Sequence, residues 1–183
     1  MFYDIDIAGL TRKLKLYKVA DNLQIAAFIL YGDVEITEHS ARELLKKAPE
    51  YDIMLTSAAK SIPLIYEMAR QAGDNDYVVA LKGSKVYMTN PIEVTVNSIT
   101  TQNQQKLIIG EDDAAKLKGK RVLIVDDVIS TGESLRALEE LAAAAGGNVV
   151  GKMAVLAEGD SFDREDITVL AKLPLFDAEG NVL

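Results

Sequence analysis

Residues 122–134 read VLIVDDVISTGES. The aliphatic run 122–125 reads as a buried strand; it passes directly into Asp126 and Asp127, and a small-residue turn, Ser130, Thr131 and Gly132, then opens a helix. A turn of exposed backbone N–H groups at a helix N-terminus attracts an anion, while carboxylates just before it accept hydroxyl protons. The string therefore suggests a phosphate and a polyol held side by side. Ordinary capping would account for residues 130–134 taken alone. It accounts poorly for two adjacent acids at the carboxyl end of a central strand, where like charges repel and desolvation is costly.

Working outward, the hydrophobic periodicity predicts a helix over 38–47, a strand over 53–56, and a second helix in which Ile62, Ile65, Met68, Ala69 and Ala72 share a face. A strand over 77–80 follows, then the strand 121–125 and a helix with Leu135, Leu138, Leu141 and Ala142 on one side. The alanine-rich stretch 142–145 ends that helix before Gly146 and Gly147. Strands at 149–156 and 167–170 complete an alternation of strand and helix. The expected fold class is α/β, with a mostly parallel central sheet covered by helices on both faces.

Ligands of such sheets bind beyond the carboxyl ends of the strands, where the strand order switches. Asp126 and Asp127 are expected at that edge, with the turn after strand 53–56 (Ser57, Ala58, Ala59, Lys60, Ser61) and with Lys82, which follows strand 77–80. Two lysines and several N–H groups converging there suit a polyanion such as pyrophosphate. Residues 83–106 interrupt the alternation with a polar, β-prone segment in which Gly83, Asn90 and Pro91 form turns. A long excursion at such an edge is usually functional. An arm for dimer contacts is the other reading of it.

At 183 residues and 49% hydrophobic, the chain can bury a core of its own, and one domain over 1–183 is expected. It has no cysteine, which leaves no thiol nucleophile or thiolate metal site. The first residues carry Asp4 and Asp6, and the apolar run 25–31 is too short to span a bilayer; a cytoplasmic location is expected. The formal charge of −8, from 20 basic and 28 acidic residues, argues against nucleic acid as a partner. The local cluster Arg12, Lys13, Lys15 and Lys18 reads as a solvated strand or turn. The single histidine, His39, is expected on a polar helix face in solvent, so neither a Ser–His–Asp triad nor a multi-histidine metal site can be assembled.

The string 122–134 resembles the phosphoribosyl pyrophosphate (PRPP) signature of the type I phosphoribosyltransferases: four apolar residues, two acids, two apolar residues, a small residue, Thr, Gly, a variable residue, then Ser or Thr. The resemblance implies the type I phosphoribosyltransferase fold, with a small N-terminal hood over about 1–35, a core over 36–172 and a flexible β-hairpin loop at 83–106. It implies that Asp126, Asp127 and Lys82 are catalytic, with the two acids near the ribose hydroxyls and weakly or indirectly holding Mg²⁺. Ser130, Thr131, Gly132, Glu133 and Ser134 would wrap the 5′-phosphate, with the Glu133 carboxylate turned away. Ala59, Lys60, Ser61 and Lys82 would receive pyrophosphate. Phe28 in the hood, Val128 and Glu158 would hold the base, and a homodimer is expected.

Within that family, the pair Leu81–Lys82, the stretch 98–102 and the segment Ala157, Glu158, Gly159 look most like the adenine and xanthine enzymes. A carboxylate at Glu158 can accept from the exocyclic amine of adenine. A 6-oxopurine enzyme is expected to carry a lysine there, and xanthine-type relatives an amide where Leu30 stands. The chain departs from the adenine pattern at Ala58, Ala59, Lys60 and Ser61, where Glu-Ala-Arg-Gly is usual, at Leu81, where an arginine is frequent, and at Thr100 and Thr101, where some have Glu and Tyr. The expected reaction is transfer of the phosphoribosyl group of PRPP to a purine, adenine first; a 6-oxopurine such as xanthine, or a PRPP-sensing protein on the same fold, is the alternative.

Overall fold

The computed structural model describes residues 1–96 and 105–183. Its first layer begins with two strands, β1 (Phe2–Ile7) and β2 (Leu10–Ala20), joined by Ala8 and Gly9 at φ of 51° and 81°. Two positive-φ residues form the short hairpin turn whose twist matches the strands it joins. Alternation then buries Ile5, Ile7, Leu14 and Leu16 on one face and leaves Lys13, Lys15 and Tyr17 on the other. The basic cluster is solvated or paired: Arg12 forks onto Asp33 at 2.7 and 3.0 Å, and Lys18 meets Asp21 at 2.9 Å.

β3 (Leu23–Ala26) lies antiparallel to β2 and leads to α1 (Val34–Leu45). Asp33 caps this helix by accepting from the Ile36 amide at 3.1 Å, so α1 starts four residues earlier than its periodicity suggested. The β-branched opening Val34, Ile36, Thr37 hides the start, and the cap overrides it. β4 (Ile53–Ser57), α2 (Ile62–Ala72) and β5 (Val78–Ala80) follow; Pro63 preorganises the first turn of α2 and Gly73, at φ 81°, ends it.

β6 (Ile92–Val96) and β7 (Gln105–Ile109) pair antiparallel, in the register Ile92↔Ile109 to Val96↔Gln105. The stretch 98–102, including Thr100 and Thr101, lies outside the described residues. The short helix α3 (Glu111–Leu117), not expected from periodicity, precedes β8 (Arg121–Ile129), α4 (Glu133–Ala144) and β9 (Asn148–Glu158). A 3-10 turn, Gly159–Asp163, connects β9 to β10 (Thr168–Leu173), and β11 (Leu175–Phe176) ends the series.

The central sheet is parallel throughout, in the order β10-β9-β8-β4-β5, and helices cover both faces. Alternation along its strands sorts the core into two halves. Leu123, Val125, Met153 and Val155 face α1, α2 and the N-terminal strands, while Val122, Ile124 and Ala154 face α4 and the β6–β7 hairpin. β1, β2, β3 and β11 form a separate antiparallel sheet in the order β1-β2-β3-β11, so the far end of the chain completes the N-terminal layer. No helix among the described residues is long and apolar enough to cross a membrane. His39 is half-buried on α1, with Nδ1 3.3 Å from the Ala8 carbonyl, and is less solvated than expected.

Candidate active site

Strand order creates the crevice. In chain order the parallel strands run 2-1-3-4-5, so successive connections diverge on either side of the β4–β8 boundary. β4 pairs with β8 only as far as Leu55↔Ile124, whereas β8 and β9 stay paired to Ile129↔Ala157. Beyond Ile124 one side of β8 is therefore free of its neighbour. Asp126 and Asp127 lie on that free stretch, inside β8, whereas the sequence suggested that the strand stops at 125. Continued pairing to β9 prolongs it.

Both acids are buried, with Asp127 only 3% exposed. The turn after β4 closes over them; its Ala58–Ala59 peptide is cis. Ser61 points inward. Its hydroxyl donates to Asp126 Oδ1 at 2.5 Å, lies 3.2 Å from Asp127 Oδ1, and accepts from the Asp127 amide at 2.9 Å. The Asp127 amide also donates to Asp126 Oδ1 at 2.9 Å. Sequence reasoning gave Ser61 to pyrophosphate; it borders the same cavity as Lys60 and Lys82, and its hydroxyl is committed to the acids, because a buried carboxylate demands a donor.

Burial, then repulsion from Asp127, pushes Asp126 well above the usual carboxylate range, against the opposing pull of the Ser61 hydroxyl. Lys60 Nζ stands 3.0 Å from Asp127 Oδ2, an electrostatic contact without hydrogen-bond alignment. Burial lowers the Lys60 ammonium, but attraction to Asp127 and Asp126 outweighs it and the net shift is upward. Ala59, Lys60, Ser61, Lys82, Asp126, Asp127, Val128 and Ser134 border one cavity of about 120 Å³. The structure thus assembles two lysines, two acids and Ser134 of the first turn of α4 around a single space.

On the other side of Val128, Asp126, Ser130, Thr131, Gly132 and Ser134 line a small cleft at the start of α4. Gly132 has φ 80° and occupies the N-cap, where its open backbone suits an anion. Glu133 extends along the helix toward Arg136, 3.5 Å away, consistent with a carboxylate turned from the turn. Glu158 meets the turn from β9: its Oε2 accepts from the Ser130 hydroxyl at 2.6 Å, and the Ser161 hydroxyl donates to the Ser130 carbonyl. Ser130, Thr131, Glu158, Gly159, Asp160, Ser161, Arg164 and Leu175 enclose a wider cavity of about 370 Å³.

Phe28 does not present a ring to these cavities. It is 6% exposed and packed in the core beside the hood strands, while Ile29 and Tyr31 carry the exposed surface of that segment. Burial of the large apolar ring against the sheet is the stronger force here. Sequence reasoning missed Ser161, Arg164 and Leu175. The one available signal was position, since all three follow β9 or β10 at or near the edge that carries the acids.

A parallel sheet with an acidic pair at its switch point, flanked by a lysine-bearing turn and a helix-opening turn, defines the class of α/β proteins whose crevice suits a phosphorylated polyol. Residues 31–174 match the phosphoribosyl transferase domain, and the chain belongs to that family. It is 28% identical over 178 residues to xanthine phosphoribosyltransferase of Bifidobacterium adolescentis, covering 91% of each chain. It is 28% identical over 140 residues to orotate phosphoribosyltransferase of Caldanaerobacter subterraneus subsp. tengcongensis, covering 75% of this chain and 61% of that relative, less than two thirds of its length. Its fold matches the crystal structure of adenine phosphoribosyltransferase from Saccharomyces cerevisiae, complexed with an imino-altritol bisphosphate and adenine, at a TM-score of 0.67 and 19% identity, over 86% of this chain and 93% of that one. This is the type I phosphoribosyltransferase fold.

Proposed function

We propose that this chain is a purine-salvage phosphoribosyltransferase that joins a purine, adenine by preference, to C1 of PRPP and releases pyrophosphate. The observation that carries the reading is the placement of the buried Asp126–Asp127 pair between a lysine-bearing turn, which borders a cavity with both acids, and an open helix N-terminus, which borders a cleft with Asp126. The C1–oxygen bond to pyrophosphate breaks as a purine ring nitrogen bonds to C1, and the proton of that nitrogen leaves to solvent or to the departing pyrophosphate. Positive charge develops on the ribose in an oxocarbenium-like transition state. Asp126 and Asp127 offset that charge, Lys60 and Lys82 offset the leaving group's, and the turn 130–134 holds the 5′-phosphate.

The acids fit a weakly held Mg²⁺. Two carboxylates border the cavity, and among the described residues no cluster of three or more acidic, histidine or cysteine side chains forms a full cage. Such a set suits an ion that keeps waters and shares substrate oxygens. When bound through Asp126 and Asp127, Mg²⁺ would supply charge neutralisation at the pyrophosphate and ribose oxygens.

Val128 borders both the phosphate cleft and the acids' cavity and offers an apolar surface for the base, while Glu158 borders the wider cavity on the other side of the turn at Ser130 and Thr131. Glu158 Oε1 has no hydrogen-bond partner among the described residues, and a free carboxylate oxygen suits the adenine amine. Xanthine is the second reading, favoured by a relative of that activity that spans nearly the whole chain. A cytoplasmic homodimer completes the proposal. Pyrophosphate release from PRPP and Mg²⁺, measured with adenine, hypoxanthine, guanine, xanthine and orotate in turn, tests it. Release with adenine alone is expected; binding of PRPP without release by any base would make the chain a sensor.

A further inference from the structure

The turn that opens α4 has no cation of its own. Residues 130–134 are Ser, Thr, Gly, Glu and Ser, and Asp126, Glu158 and Asp160 add acids to the two cavities that Thr131 lines. A helix N-terminus contributes only partial charge, so a phosphate dianion in such acidic surroundings calls for a full positive charge nearby. Among the described residues, Arg164 is the only basic side chain bordering either of the two cavities that Thr131 lines.

Its guanidinium is held at one edge and free at the other. Nε and Nη2 donate to Oδ1 and Oδ2 of Asp166 at 2.9 and 2.8 Å, and Asp166 is anchored in turn by Lys152 Nζ at 2.6 Å. That fork leaves Nη1, which makes no hydrogen bond among the described residues. Nη1 lies 2.5 Å from the point where a Cβ on Gly132 would stand. A side chain at Gly132 would displace the guanidinium from this position, and the Ser161–Ser130 and Glu158–Ser130 contacts tie the segment before Arg164 to the same residues.

We infer that Arg164 binds the 5′-phosphate of the phosphoribosyl ligand through its free Nη1 edge, with Asp166 as the positioning residue that aims it. The inference rests on the reading of residues 130–134 as the phosphate site and adds to it a residue from the β9–β10 connection. A planar fork gripped on one side delivers its remaining donors in a fixed direction, which lysine cannot reproduce.

Calorimetric titration with ribose 5-phosphate and, separately, with pyrophosphate tests this on wild type, Arg164→Gln, Arg164→Lys and Asp166→Asn. Arg164→Gln is expected to weaken ribose 5-phosphate at least tenfold while pyrophosphate stays within twofold. Arg164→Lys recovers part of that loss, and Asp166→Asn falls between. In turnover assays the Arg164→Gln enzyme raises KM for PRPP with kcat held within about threefold. Equal weakening of both ligands, or no weakening of ribose 5-phosphate, overturns the role of Arg164 while the phosphate site stands. Wild type that binds neither ligand overturns the functional reading itself. Should Arg164→Gln lose its thermal transition, the comparison of Arg164→Lys and Asp166→Asn decides in its place.

Discussion

The Ser61 hydroxyl donates to Asp126 Oδ1 across 2.5 Å, joining the turn after β4 to an acid that lies 65 residues further along the chain. The bond favours the ionised carboxylate and opposes the burial that neutralises it. Ser61→Ala should therefore destabilise the fold by about 1–3 kcal/mol, the cost of leaving a buried acceptor unmet. The loss should be larger at pH 8 than at pH 5, as urea unfolding at the two pH values will read.

Asp126 itself gives the stability a pH slope. Burial first, and Asp127 second, raise its carboxyl to about 7 from an unfolded value of 3.8. Between those values the native chain holds a proton that the unfolded chain has lost. Stability is then greatest below pH 4 from this group, falls as pH rises toward 7, and levels beyond. Without Mg²⁺, wild type should lose on the order of 2–3 kcal/mol between pH 5 and pH 8, and Asp126→Asn should flatten the curve. Asp166, which Arg164 and Lys152 hold low, acts only in more acidic solution.

Lys60 and Asp127 should separate in kinetics although they form one ion pair. On the proposed function, Asp127→Asn removes the charge that faces the ribose and should lower kcat roughly 10²-fold. On the same proposal, Lys60→Ala removes charge that faces the leaving group and should raise KM for pyrophosphate in the reverse reaction about tenfold, with partial recovery in Lys60→Arg. Unchanged turnover in Asp127→Asn would remove that acid from the site.

Gly132→Ala places a methyl group at φ 80° and against Arg164 Nη1. The substitution should cost about 1 kcal/mol or more in unfolding free energy and weaken PRPP. A variant as stable and as active as wild type would show that the turn relaxes.

Asp33→Ala removes both the cap on the Ile36 amide and the fork to Arg12. About 1–2 kcal/mol of stability should be lost, with catalysis nearly intact, because the substitution lies at the entry to α1 and outside the acidic cavity.

Much of the fold was legible because its signals are local. The helix Ile62–Ala72 appeared where its apolar spacing put it, and the run 122–134 named a strand, an anion turn and a helix in order. The N-terminal sheet was less legible, since β11 must return from the far end of the chain to pair with β3, and two residues carry almost no pattern. Among site residues, Asp126, Asp127, Lys60 and Lys82 meet at one cavity as their places after strands implied. Phe28 went to the core because alternation alone does not reveal which ring a neighbouring sheet will cover.

By itself, then, the sequence determined the α/β alternation, the acidic pair and the turn beside it, because periodicity, capping and strand-end chemistry act over a few residues. Only tertiary structure decided that β4 parts from β8 after Leu55, that Ser61 turns inward to Asp126, and that Arg164 reaches Gly132. Those relations depend on strand order and register, which bring distant segments within hydrogen-bond range and leave no trace in either segment alone.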